Sequence, residues 1–424
     1  MNLHHVQKLL DIFITNNIKI QNKGTEKSVL FCIFPLHFCY KLTILDKTFY
    51  PVHFQKMKKK TIVMAWGGTW WHVFPVKSLI ETILSDIKYS DQVQEIIRFW
   101  SKDSLEQETA AKFWDKVRVI SILSWKWRRE TPLKSRLKNI RDLFLFAAGF
   151  IQSTFYLRKS KADVVFCKWW YVALPVVFAA RFLHKPIFVH ESDVKPWLVN
   201  KIWNKFSKQS FCGFDWVFPW AIVVGQILSD EIVPSWDSNP ELSNSLKSEQ
   251  EDGKPLILVM WWSQGSKKLY ECLAELLREN RILRDWFHYH IILWKLNEDL
   301  EEMFKEMPSV TTYDFLSQSD IWILYQHCDI SLTRGWTTSL AEQKLFNLKS
   351  IIVPIPRTHD QKFNAEWYVK NYDDIMVEQS TPTTSDDLCR ALVTLKDYHK
   401  PEISIDIHKE IWKAKHIILD YILK

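Results

Sequence analysis

Two doubly wound α/β domains facing a central cleft are the fold class that this sequence predicts. Three observations predict it. Short apolar runs alternate with longer helical patterns from residue 61. A polar stretch interrupts them within 226–254. A second series of the same kind then begins at 255. Alternation of this sort argues for parallel sheets with helices on both faces. Two such sheets leave a crevice at the carboxyl ends of their strands.

The first series places strands at 61–65, 94–99, 117–121, 163–167 and 186–190. Helical patterns fall at 75–87, 103–113, 137–159 and 171–184. The segment 234-PSWDSNPELSNSLKSEQEDGKP-255 is rich in Ser, Pro, Asn and Glu and reads as a linker or exposed loop. The second series places strands at 255–260, 287–293, 310–313, 329–333 and 350–354, with helices at 267–279, 297–306, 320–327, 338–347 and 361–370. Periodicity makes 405–424 a helix able to pack back on the first half. Residues 1–56 show no periodicity and carry no motif. Met57, a basic run and the first strand look like the start of a protein, so 1–56 is expected to be a non-native or accessory extension. The expected domains are then 57–225, joined by the last helix, and 226–404.

Composition narrows the class. The chain has 424 residues, 25% charged and 47% hydrophobic, which is globular. A net charge of +7 suits weak attraction to anionic lipid or ligands and carries no nucleic-acid signature. Seven cysteines are scattered without a CxxC pair, as in a reduced protein. The run 28-SVLFCIFPLHFCYKLTIL-45 contains Pro35, His37 and Lys41 and reads as neither a membrane span nor a signal peptide.

The anomaly is 9 Gly beside 22 Trp. Average usage would give about 30 glycines, close to both counts together. The tryptophans stand where backbone physics asks for glycine. Apolar strands end in 66-WGGTWWH-72, 168-KWWYV-172, 261-WWSQGS-266 and 334-RGWTTSLAE-342, each opening a helix. Such turns need positive φ or close backbone approach, which glycine supplies cheaply. One reading is a true Trp-rich protein with an aromatic binding surface. The other is that the source decodes UGA as glycine and the gene was translated with UGA as tryptophan. Trp100, Trp114, Trp286, Trp367 and Trp412 lie in less diagnostic contexts.

With glycine restored, these loops offer bare amides to anions. Gly67, Gly68, Thr69, Trp70 and Trp71 form the first, and His72 at its helix mouth suits a base or a phosphate contact. Ser263, Gln264 and Gly265 form a second, suited to a diphosphate. Arg334, Thr337 and Thr338 open a third, and Glu342, one turn in, can accept both hydroxyls of a ribose. His190, Glu191 and Asp193 cluster after a strand. No second ligand pair at set spacing supports a metal there, so hydroxyl contacts or an N-cap fit better. His359, Asp360, Gln361 and Asn364 form a polar cluster suited to sugar hydroxyls or to a capped helix start. No GKS/T phosphate loop is present.

These motifs, in this order from about Met57 to the C-terminus, resemble the MurG family. The resemblance implies a GT-B fold of two Rossmann-like domains, the first for a lipid acceptor and the second for UDP-GlcNAc. It implies inverting transfer of GlcNAc to the 4-hydroxyl of undecaprenyl-pyrophosphoryl-MurNAc-pentapeptide. His72 matches the motif histidine and is a candidate base, with Asp193 as second choice. Ser263 and Gln264 match the diphosphate loop, Thr337 and Thr338 the phosphate-side helix start, Glu342 the ribose acid, and Gln361 the glutamine that meets GlcNAc. No metal or other cofactor is demanded, and no nucleic acid is expected as partner. Three departures stand out: 190-HESD-193 for HEQN, 225-GQILS-229 for GNPVR, and HDQ at 359–361 for DHQ. Another GT-B transferase with a different lipid acceptor would share most of these features. A literal Trp-rich chain would be a binding or scaffold protein.

A membrane-bound acceptor implies peripheral contact with an anionic surface at the cytoplasmic face. The segment 134-KSRLKNIRDLFLFAAGFIQSTFYLRKSK-161 mixes Lys and Arg with Phe, Leu and Ile and suits such a contact, or a core helix with solvated ends.

Overall fold

The computed structural model describes residues 27–33, 38–45, 48–52, 58–66, 70–100, 117–124, 133–168, 173–230, 239–261, 266–358, 360–380 and 384–424. Within these, 27–52, 70–73, 100, 133–139, 199 and 295–296 are described by backbone alone. The chain divides into Met1–Lys59 and Lys60–Lys424. In the first unit β1 (Lys27–Ile33), β2 (Phe38–Leu45) and β3 (Thr48–Val52) form an antiparallel meander, with Lys27 opposite Ile44 and Leu45 opposite Thr48.

The second unit holds two parallel sheets. The first contains β4 (Lys60–Ala65), β5 (Val93–Trp100), β6 (Val117–Ser121), β7 (Val164–Lys168), β8 (Ile187–Glu191), β9 (Gln209–Cys212) and β10 (Ile222–Val223), in the order β10-β9-β8-β7-β4-β5-β6. The second contains β11 (Leu256–Met260), β12 (His288–Ile292), β13 (Val310–Tyr313), β14 (Ile330–Thr333), β15 (Lys349–Ile352) and β16 (Ile375–Met376), in the order β13-β12-β11-β14-β15-β16. Both sheets start at an inner strand and reverse direction beside it. The switch points therefore lie between β4 and β7 and between β11 and β14, and crevices open there at the strand ends. β4, β7, β8 and β11 are buried on both faces, which explains their unbroken apolar runs.

Helices cover the sheets. In the first lobe they include α1 (Trp70–Ser85), α2 (Ile87–Ser90), α3 (Leu133–Lys159), α4 (Ala173–Phe182) and α5 (Leu198–Asn204). α1 begins before the expected residue 75 and carries Pro75 inside. It stops at Ser85 because Asp86 caps α2, accepting from the Lys88 N–H at 2.8 Å. The expected helix at 103–113 lies outside the described residues.

In the second lobe lie α6 (Pro240–Gln250), α7 (Lys267–Glu279), α8 (Arg281–Asp285), α9 (Gln318–His327), α10 (Thr337–Leu345), α11 (Gln361–Tyr372) and α12 (Thr384–Thr394). The segment expected as linker thus contains α6, started by Asn239, whose side chain accepts from the Leu242 N–H, and by Pro240 at its first turn. The helix expected at 297–306 is a 3₁₀ helix, Lys295–Met303, kinked at Asn297.

The last helix, α13 (Ile407–Leu423), lies on the first lobe. Ala414, Ile418, Leu419 and Ile422 are buried with Ile62, Leu79 and Ile80. Burying each of the larger chains stabilises this contact by about 2 kcal/mol. Its other end reaches the second lobe, where Ile411 joins Leu324 and Phe346. The buried Lys415 ammonium meets the Asp230 carboxylate at the crossover between lobes.

The backbone bears on the tryptophans. Trp216, Trp220 and Trp294 have φ of 67°, 69° and 59°, the left-handed region that favours glycine. Trp216 and Trp220 are almost wholly exposed, at 99% and 96%, so no packing repays that conformation. At the first strand of each lobe, Trp66 and Trp261 turn inward and are fully buried. Their indole N–H groups have no hydrogen-bond partner, an expensive arrangement for a buried donor. Trp216→Gly and Trp220→Gly should each raise stability by about 1 kcal/mol over the corresponding alanine variants. Equal chemical-denaturation midpoints for glycine and alanine would show that backbone strain is not the issue.

Candidate active site

In each lobe two neighbouring parallel strands end side by side at the switch point. Loop 66–69 follows β4, and 169–172 follows β7, its hydrogen-bonded neighbour. Loop 261–266 follows β11, and 334–336 follows β14, again neighbours. Gly67, Gly68 and Thr69, together with Ser263, Gln264, Gly265 and His359, lie outside the described residues. Trp70, Trp71 and His72 form the first turn of α1, and their side chains lie outside the description.

The second lobe's loops are tied by Arg334. Its buried guanidinium donates to the Val353 carbonyl at 3.0 Å, Gln379 Oε1 at 2.9 Å and Ser266 Oγ at 3.4 Å. Burial pushes its pKa down to about 10, so it stays charged. Arg334 thereby acts as a brace between loops. Gly335 follows with no room for a side chain, because an added Cβ would lie 2.5 Å from the Gln361 carbonyl oxygen. That approach seats α11 against the start of α10.

Gln361 is fully buried. Its Oε1 accepts from the Ile355 N–H at 2.9 Å, while its Nε2 has no partner. Asn364, one turn on, is committed to the opposite lobe. Its Nδ2 donates to Asp193 Oδ1 at 3.0 Å and to the Gly335 carbonyl at 3.2 Å, and its Oδ1 accepts from the Val194 N–H at 3.0 Å. Asn364 therefore clasps the lobes in this arrangement, with its amide used up.

Glu342 and Thr338 line a cavity between the lobes with Tyr325 and Met260, opposite Phe74, Ile227 and Ser229 of the first lobe. Thr337 is buried at the same helix start. Burial raises the Glu342 carboxyl to about 8, and a hydrogen bond with the Tyr325 hydroxyl opposes the rise. The carboxyl is then largely protonated at neutral pH and can donate or accept. In the first lobe Glu191 organises its own loop. It accepts from the Asp193 N–H at 3.0 Å, the Trp197 N–H at 3.3 Å and Asn200 Nδ2 at 2.7 Å. Burial raises it to about 7, against those hydrogen bonds.

Three side chains at these loops were not singled out in the sequence. Tyr325 lies mid-helix, and only packing brings it to Glu342. Arg98 of β5 is buried with its guanidinium 4.1 Å above the Trp66 ring. Lys168 is buried at the last position of an apolar strand, and that charge at a strand end was its only signal. Among the described residues no group of three His, Cys, Asp or Glu converges to hold a metal ion.

Comparison with known proteins agrees with this architecture. The glycosyltransferase family 28 N-terminal domain matches residues 62–212, and the family 28 C-terminal domain matches 256–403. A relative from Staphylococcus carnosus, named UDP-N-acetylglucosamine--N-acetylmuramyl-(pentapeptide) pyrophosphoryl-undecaprenol N-acetylglucosamine transferase, is 28% identical over 382 residues. That match covers 86% of this chain and 96% of the relative. The identically named Staphylococcus aureus protein is 28% identical over 299 residues, covering 69% of this chain and 78% of its own. The crystal structure of Acinetobacter baumannii MurG shares the fold with a TM-score of 0.64 at 20% identity, covering 86% of this chain and 99% of that one. The two lobes and their facing loops define a GT-B hexosyltransferase of glycosyltransferase family 28. Within that class the chain belongs to the MurG family of peptidoglycan synthesis, with tryptophan at many of the family's glycine positions.

The raised Glu342 carboxyl has a stability consequence. Between the ordinary carboxylate value and about 8, the folded protein binds more protons than the unfolded chain. This group therefore lowers stability as pH rises through that window. Glu342→Gln should remove that loss. In urea, its stability relative to wild type should rise by at least about 1 kcal/mol between pH ~5 and pH ~8. A constant difference across that range would mean the carboxyl is not raised.

Proposed function

We propose that the protein moves GlcNAc from UDP-GlcNAc to the 4-hydroxyl of undecaprenyl-pyrophosphoryl-MurNAc-pentapeptide, converting lipid I to lipid II. The observation that carries this reading is the buried Glu342 carboxyl inside α10, facing Ile227 and Ser229 of the first lobe. A buried carboxyl one turn inside a helix that opens at a strand end suits a ribose next to a diphosphate held at the helix start. The curated relatives' names supply the sugar and the acceptor.

In this reading Glu342 holds the ribose hydroxyls, and the starts of α7 and α10 face the diphosphate with Thr337 and Thr338. Ser263, Gln264 and Gly265 are assigned to the diphosphate by their motif. Gln361 offers its Nε2 to GlcNAc. The first loop, Gly67 to Trp71 with glycine restored, faces the acceptor. The acceptor oxygen attacks the anomeric carbon from the face opposite UDP, giving a β-1,4 link. His72 or Asp193 takes the hydroxyl proton. Helix N-termini and loop amides stabilise the departing diphosphate without a metal.

The purified protein should form the disaccharide lipid from UDP-GlcNAc and lipid I. Glu342→Ala should raise the KM for UDP-GlcNAc by roughly 10–100-fold, the worth of about two hydrogen bonds to the ribose. Turnover of another glycolipid with lipid I ignored would instead favour a different GT-B acceptor.

Peripheral binding at the cytoplasmic face has its own support. No helix among the described residues is long and apolar enough to cross a membrane. On α3, Ile140, Leu143, Phe144, Ile151 and Phe155 are exposed, near Arg141, Arg158 and Lys159, and Phe182 of α4 is exposed as well. Phe146, expected on the same face, makes an edge contact with Phe178 at 5.8 Å. Phe144→Ser combined with Phe155→Ser should weaken binding to vesicles containing anionic lipid by roughly tenfold or more. Undiminished binding would remove this face from the membrane contact.

A further inference from the structure

We infer that residues 193–195 and α11 form a latch that holds the cleft shut against the donor, with Asn364 as its gating residue rather than a ligand contact. The inference rests on the reading of Glu342 as the ribose acid, and adds how the donor gains entry.

The cleft is closed in this arrangement. The space between Glu342 and Thr338 of α10 and Phe74, Ile227 and Ser229 of the first lobe measures about 20 Å³, room for about one water. A ribose held by Glu342 needs many times that volume. The lobes must therefore part before a nucleoside diphosphate reaches the carboxyl.

Three consecutive residues after β8 grip two consecutive residues of α11. Asp193 Oδ1 accepts from Asn364 Nδ2 at 3.0 Å, and the Val194 N–H donates to Asn364 Oδ1 at 3.0 Å. Lys195 Nζ stands 4.1 Å from the centre of the Phe363 ring. Asn364 is fully buried, and both its amide nitrogen and its oxygen are engaged. It has little left to offer a sugar.

Neither half of the latch is free to swing aside. On the first lobe, Glu191 accepts from the Asp193 and Trp197 N–H groups, and Gln226 Nε2 donates to the Ser192 carbonyl at 2.8 Å. On the second, the Gly335 carbonyl steadies the Asn364 amide at 3.2 Å. Parting the lobes here means breaking the bonds between them. The apolar contacts alongside are of another kind. Phe214 meets Trp367 edge-on at 4.6 Å and Tyr368 at 6.1 Å. Such contacts are non-directional and tolerate sliding, whereas hydrogen bonds fix one register.

A shut resting state lowers the apparent affinity for the donor by the fraction of molecules that are open. Losing the latch then tightens donor binding, although no latch atom touches the donor. Losing a ligand contact does the opposite, so the sign of the change separates the two roles.

The test uses the full-length protein and UDP alone, which keeps acceptor and GlcNAc contacts out of the readout. Calorimetry gives the affinity and stopped flow the rates. Asn364→Ala removes both inter-lobe hydrogen bonds and should tighten UDP binding by roughly 5–30-fold. Asp193→Ala removes one of them, leaves α11 untouched, and should tighten binding by roughly 2–10-fold. Each gain should appear in the association rate with dissociation unchanged. The combined variant should gain no more than Asn364→Ala alone, because both break the same contact. Asp193→Ala binding UDP no more tightly than wild type overturns the latch, and so does a folded Asn364→Ala that binds it more weakly. A wild type that binds no UDP sinks the donor reading itself, and this inference with it.

Discussion

A single missing side chain governs the second lobe's side of the cleft. At Gly335 an added carbon would collide with the carbonyl oxygen of Gln361. Because that space is empty, α11 can lie against the loop after β14. Its first turn then delivers Gln361 to the strand ends and Asn364 to the other lobe. The cross-lobe clasp, the open glutamine amide and the placement of Asp193 all follow from that contact. The same logic applies to every strand-end loop of this fold, since a nucleotide sugar is gripped by backbone as much as by side chains.

The two lobes share a buried apolar seam, in which Cys212, Phe214, Val217 and Phe218 pack with Leu340, Ala365 and Tyr368, and specific polar links stand beside it. Ser78 of α1 donates to the Leu228 carbonyl at 2.7 Å, and Lys415 of α13 meets Asp230 at the crossover. The Asn364 clasp lies across the cleft from them. α13 belongs to the first lobe by burial while its beginning packs in the second. Glu342, Glu191, Asp193 and Lys168 carry shifted proton affinities for a common reason, burial close to the cleft, where charge is otherwise unwelcome.

The parallel-sheet architecture was legible because inner strands such as β7 and β11 are buried on both faces and therefore read as continuous apolar runs. β10 and β16 are not legible because two residues hold no periodicity, and β9 because it opens on the polar Gln209 and Ser210. α6 was read as linker because Leu246 is its one fully buried residue, although Asn239 and Pro240 gave a start signal. Site chemistry was legible by residue type more than by role. Arg334 and Asn364 were picked out as ligand contacts, yet their hydrogen bonds go to loops and to the opposite lobe. Those partners lie up to 171 residues away in the chain, and spacing does not encode them. Lys168 passed unnoticed because its meaning depends on what the neighbouring strand carries.

The tryptophans connect sequence, backbone and function. Left-handed conformations at Trp216, Trp220 and Trp294, and partnerless buried indoles at Trp66 and Trp261, are arrangements that glycine would relieve. The most direct measurement is the mass of peptides covering residues 61–77 and 255–267 from the protein made by its own source. The account predicts glycine at positions 66, 70, 71, 261 and 262. Tryptophan at those positions in a protein that still transfers GlcNAc would contradict it.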